Sequence, residues 1–135
     1  MSQTTKKVSI LFRDLQRTII KNKASFIITS FWGIEPIINA LYKDGWILGY
    51  KKYTSISDSY FEIYIKYDTN AKTTITNVKT INKSSLLPII RQQSLISDCK
   101  NTAYTGIIQT AKHGFLSNRQ ALSKKTGGIY LAKVF

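Results

Sequence analysis

Val8, Leu11, Phe12, Leu15 and Ile19 recur at helical spacing with Arg13, Gln16, Arg17 and Lys21 on the other faces, so residues 8–22 read as an amphipathic helix. SFIIT, 25–29, is short, apolar and partly β-branched, and reads as a buried strand. In GIEPIINALYKDG, Pro36 sits near a helix start, Ile37, Ile38, Leu41 and Tyr42 supply an apolar face, and Gly45 is the stop. WILGYKKY and YFEIYIKY, joined by the polar TSISDS, read as an antiparallel hairpin. In its second arm Phe61, Ile63, Ile65 and Tyr67 alternate with Tyr60, Glu62, Tyr64 and Lys66, one face inward and one aromatic-polar face outward. TTITNVKTI, 73–81, alternates again and offers a third strand.

NKSS, 82–85, is a polar break between two halves. Beyond it come the apolar LLPIIR, a weakly helical QSLISDCK and the strand AYTGIIQT. Ser117 is an N-cap for a short helix over 118–125, Gly127-Gly128 end that helix, and IYLAKVF is a closing strand. The fold class is α+β. It has an N-terminal α-β-α-β-β(-β) module over 1–82 and a C-terminal β-rich module with a short helix over 83–135.

Composition adds a partner class. The chain has 135 residues, 43% of them hydrophobic, enough for one domain or two very small modules sharing an interface. Lys and Arg number 20 against 7 Asp and Glu, a net charge of +13. Residues 1–70 carry ten basic and six acidic side chains, whereas residues 71–135 carry ten basic and one acidic, Asp98. So uneven a balance favours an anionic polymer or surface as the partner.

Catalysis finds little support. A nucleophilic Cys99 needs His113 as base and a third group to orient it, and adjacent Asp98 cannot easily point the same way. One His, one Cys and seven scattered carboxylates are too few for a metal site, and no phosphate- or dinucleotide-binding glycine motif occurs. The chain reads as a protein without enzymatic activity, metal, cofactor or small-molecule substrate. A lone Cys also implies no disulfide framework. No segment approaches the ~20 apolar residues of a membrane span. MSQTTKKVS lacks an apolar signal core, which leaves a chain made where it works or one whose leader has been removed.

RNA binding is the positive case. The region 109–128 collects phosphate-binding groups: Thr110, Lys112, His113, Ser117, Asn118, Arg119, Lys124 and Lys125, with backbone N–H groups at a helix start. Gly114, Gly127 and Gly128 would let the backbone approach a ligand closely.

These stretches together resemble the family of the eighth protein of the small ribosomal subunit. That family carries Ser-Thr-Ser-x-Gly, then about Ile-Met-Thr-Asp-x-x-Ala, then Gly-Gly and a terminal strand. The same order here reads TAKHG, FLSNRQA, GG and IYLAKVF. TIIKN, 18–22, is similar to the end of the family's first helix, and INALYKDGWI, 38–47, to its second helix running into Glu-Gly-Phe-Ile. The resemblance implies two modules that bind the central domain of small-subunit rRNA and support subunit assembly, with neighbouring small-subunit proteins as further partners. It places the principal rRNA loop at Thr110, Ala111, Lys112, His113, Gly114, Ser117 and Asn118. The resemblance also implies a secondary contact at Thr18, Lys21 and Asn22. Two alignments of the loop stay open: an ungapped one that replaces two family hydroxyls with Ala111 and Lys112, or one that makes His113 an insertion.

A composition heavy in Ile, Lys, Asn, Thr, Ser and Tyr is that of an AT-rich coding sequence. Together with the altered loop motif and the missing transit signal, it suggests an organelle-encoded protein of a mitochondrial small subunit, with plastid or bacterial cytoplasm as alternatives. A different class, a basic adaptor on an acidic protein or anionic membrane surface, would use the outward tyrosines of 60–67.

Overall fold

The computed structural model describes residues 3–80, 89–100 and 104–135. The first helix, α1, spans Gln3–Ile20, beginning earlier than the apolar spacing suggests. Its buried stripe runs through Val8, Leu11, Phe12, Leu15 and Thr18. Asn22 then adopts a left-handed backbone, φ 53°, and ends the turn, with the Asn22 N–H donating to Ile19 O and the Lys23 N–H to Thr18 O.

β1 (Ser25–Thr29), β2 (Ile47–Thr54) and β3 (Ser59–Ile65) form an antiparallel sheet in the order β1-β3-β2. The hairpin is as the alternation requires: Phe61, Ile63 and Ile65 are buried, and Tyr60, Glu62 and Tyr64 face outward. SFIIT differs from its reading as a buried strand. It is the sheet edge, with Ile28 buried and Ile27 exposed, because α1 covers only one face. α2 (Ile34–Lys43) packs Ile34, Ile37, Ile38, Ala40 and Leu41 inward. Tyr42, assigned to that face, is exposed and meets the Tyr50 ring edge-on. Gly45, at φ 83°, stops this helix as expected.

The second sheet orders β4 (Val78–Thr80), β8 (Gly128–Val134), β6 (Thr105–Thr110) and β7 (Gly114–Ser117), with β5 (Ile89–Ile90) also on β8. The third strand offered by 73–81 therefore pairs with the terminal strand, Val78 opposite Val134, not with β2 or β3. NKSS, the proposed boundary, lies outside the described residues. α3 (Gln92–Lys100) and α4 (Asn118–Ser123) cover one face of this sheet through Leu95, Ile108, Ala121 and Tyr130. The other face joins the first sheet. Ile107, Phe115, Leu131, Ala132 and Val134 share one continuous core with α1, α2 and β3. Burying each large side chain there contributes about 1.5–3 kcal/mol, so the two halves stabilise each other.

α4 is shorter than the 118–125 reading, and the Gly127-Gly128 pair does not end it. Lys125 does, at φ 53°, its N–H donating to Leu122 O while the Thr126 N–H reaches Ala121 O.

Candidate nucleic-acid interface

β6 and β7 form a hairpin whose tip is Ala111, Lys112 and His113, with Thr110 opposite Gly114. Three tip residues followed by a left-handed glycine are a common hairpin solution, and Gly114 has φ 70°. Thr110 is buried and braces the tip from below. Its hydroxyl donates to Gly114 O at 2.9 Å and accepts the His113 N–H at 3.0 Å. Ala111, Lys112 and His113 are exposed, and a Cβ on Gly114 would meet no protein atom within 4 Å. The tip therefore presents backbone, the Lys112 ammonium and the His113 imidazole to whatever approaches.

Other residues of the predicted site build the surface from beneath. Ser117 is the N-cap of α4: its Oγ accepts the Gln120 N–H at 3.2 Å, and Gln120 Oε1 accepts the Ser117 N–H at 3.1 Å. Asn118 is fully buried. Its amide donates to Asp98 at 3.0 Å, and its side-chain oxygen accepts the Arg119 N–H. Arg119 lies across the junction of the two sheets, paired to Asp44 at 3.3 Å. Thr105, between them, donates to Asp44 and accepts the Trp46 indole N–H, each at 2.6 Å.

Gly128 and its neighbour Gly127 are close-approach glycines, but the backbone they approach is the chain's own. A Cβ would lie 2.3 Å from Gln109 O and 2.4 Å from Ile90 O respectively. Lys124 and Lys125 are exposed, and Lys124 shares a groove with His113 and Gln120. Thr18 is buried on the α1 stripe, its hydroxyl donating to Asp14 O at 2.7 Å. Lys21 and Asn22 are exposed, and Lys21 lines a separate small concavity with Arg17 and Lys23. Thr110, Ser117, Asn118 and Thr18 thus position the surface, and the tip and exposed lysines form it.

Beside the tip opens a cleft of about 900 Å³ between the two sheets, walled on the far side by Trp32, Glu35 and Lys52. Trp32 is 77% exposed, a large aromatic left in solvent next to basic groups. Sequence reading missed it. A Trp-Gly pair just ahead of a helix start was the available signal, since an aromatic in a tight loop has little core to enter.

No grouping of three His, Cys, Asp or Glu side chains suited to a metal ion occurs among the described residues. Burial pushes the half-buried Cys99 thiol upward, the Asp98 charge adds to this, and Arg119 opposes it, so the thiolate is disfavoured. Among the described residues no helix is long and apolar enough to cross a membrane.

Residues 10–135 match the family described as "Ribosomal protein S8". A "Small ribosomal subunit protein uS8" from Rickettsia bellii is 32% identical over 102 residues, covering 73% of this chain and 74% of the relative. The protein of that name from Rickettsia felis shows the same identity and coverage. The one from Rickettsia typhi is 31% identical over 104 residues, 75% of each chain.

Proposed function

The chain belongs to the ribosomal protein S8 family, and from that premise we propose that it binds the central domain of small-subunit rRNA and supports subunit assembly. The family is structural and non-enzymatic, and its place is the ribosome. The observation that carries the finer reading is the β6–β7 tip. Thr110 clamps it, Gly114 opens it, and Lys112 stands exposed on it. A clamped tip loses little conformational entropy on contact, and an exposed lysine beside open backbone suits a phosphate. Lys124, Lys125 and the lysines of 21–23 extend the positive field, and neighbouring small-subunit proteins would share the rest of the surface.

The relatives named above are bacterial. A mitochondrial small subunit is the compartment we propose for this chain, supported by its Ile-, Lys- and Asn-rich composition.

Binding to small-subunit rRNA from the same source tests the reading. With ~6–10 phosphate contacts, affinity falls roughly 10³–10⁵-fold between ~50 and ~200 mM salt. A flat salt response, or equal affinity for unrelated RNA, contradicts it.

A further inference from the structure

The cleft beside the hairpin tip has a composition that phosphate contact alone does not require. Trp32 precedes α2 and is held at the rim by its neighbour. Gly33 has φ 89°, and a Cβ there would fall 2.5 Å from the Phe115 ring. Only glycine lets the start of α2 sit so close to β7. Trp32 consequently leans on Phe115, ring centroids 6.5 Å apart and planes tilted by 55°. The rings are tilted and not stacked, so an indole face stays available, consistent with the residue's 77% exposure. A large aromatic left this exposed gains little burial on folding beyond its contact with Phe115.

Across the cleft stand Lys112 and His113. Lys112 has no ion pair among the described residues. Glu35 also faces the cleft, and its carboxylate, which would repel phosphate, is paired with Lys52 at 3.8 Å. The cleft therefore joins an aromatic platform to an unpaired cation, with its one carboxylate countered. Every nucleobase offers a π-face to an aromatic side chain, and a lysine lining the same cleft offers a partner to a backbone phosphate.

We propose that this cleft receives one unpaired rRNA base, stacked on Trp32, with the adjoining phosphate held by Lys112. The inference rests on the rRNA-binding reading above and adds a second kind of contact to it. Stacking is sequence-tolerant, so Trp32 supplies affinity and geometry, and selection among bases falls to the groups around it.

The test titrates the full chain with small-subunit rRNA from its own source, following tryptophan emission and affinity together. Trp46, half-buried and donating to Thr105, is the second tryptophan, and comparison with Trp32→Phe isolates the signal of Trp32. The expected result is quenching on binding that Trp32→Phe abolishes. Trp32→Ala should bind about 5- to 100-fold more weakly with an unchanged salt slope, and Trp32→Phe should recover part of the loss. Tight rRNA binding with unquenched Trp32 and wild-type affinity for Trp32→Ala overturns this inference alone. Absence of any rRNA binding overturns both it and the reading beneath it.

Discussion

The Asn118 amide donates to the Asp98 carboxylate at 3.0 Å, joining the first residue of α4 to α3. The same carboxylate accepts the hydroxyls of Tyr104 and Tyr130. Asp98 is the only acidic residue among 71–135, and it is spent inside the module rather than against the surface lysines. The positive field of that half therefore goes uncompensated by its own sequence.

Asp98→Ala removes the acceptor from two tyrosines and an amide, and should cost about 2–4 kcal/mol by urea denaturation. Burial, the Asp98 hydrogen bond and its charge push the Tyr104 hydroxyl up to about 12, and burial with the Asp98 charge raises Tyr130 as well. Both hydroxyls keep their protons in the folded state where the unfolded chain, with tyrosines near ~10, releases them. The Tyr104 contribution to stability is thus complete below pH ~10 and is lost as pH rises through about 12, while that of Tyr130, raised further, persists to higher pH. Denaturation midpoints from pH 8 to 12 should fall more steeply for wild type than for Tyr104→Phe. Parallel profiles contradict this.

Ser117→Ala deletes the side-chain half of the α4 capping box, the bond from the Gln120 N–H to Ser117 Oγ, and should lower stability by about 0.5–2 kcal/mol. Because the hydroxyl is buried against Gln120, the salt slope of rRNA binding should not change. A reduced slope would make Ser117 a direct contact.

Gly114 separates backbone strain from backbone access. At φ 70°, Val is strained and should cost about 1–3 kcal/mol of stability, while Asn tolerates this conformation. Both add a side chain where the surface is open. Gly114→Asn should remain folded yet lose affinity for rRNA by about tenfold, roughly 1.4 kcal/mol. Wild-type binding by Gly114→Asn would show that nothing approaches this backbone.

Lys112 and Arg119 make a pair of opposite expectations. Lys112→Ala should leave stability unchanged within about 0.5 kcal/mol and reduce the log–log salt slope by about 0.7–0.9. Arg119→Ala breaks the link to Asp44, so its main effect should appear in the melting temperature. The reverse pattern in paired melting and salt-titration experiments would exchange their roles.

Local periodicity made much of this structure readable. The stripe of α1, the β2–β3 hairpin and the Ser117 cap each depend on residues within a few positions of one another. Thr18 could have been assigned to the interior by the same logic, three residues beyond Leu15. What stayed hidden depends on distance along the chain. Thr80 finds Ala132 as a strand partner, and Arg119 finds Asp44 across 75 positions. Asn22 and Lys125 take left-handed turns that glycine usually occupies, so no punctuation marked them. The candidate surface divides likewise: its motif residues were legible as a group, but burial separates the braces, Thr110, Ser117 and Asn118, from the exposed tip. Trp32 joins that tip only through the packing of Gly33 on Phe115.

The central claim is that the tip at 111–114 grips rRNA. A cryo-EM map of the small ribosomal subunit purified from the protein's own source tests it most directly. The account predicts the 111–114 backbone and the Lys112 ammonium at hydrogen-bonding distance from an rRNA phosphate or ribose. A tip that faces solvent, or that is covered by protein alone, would contradict it.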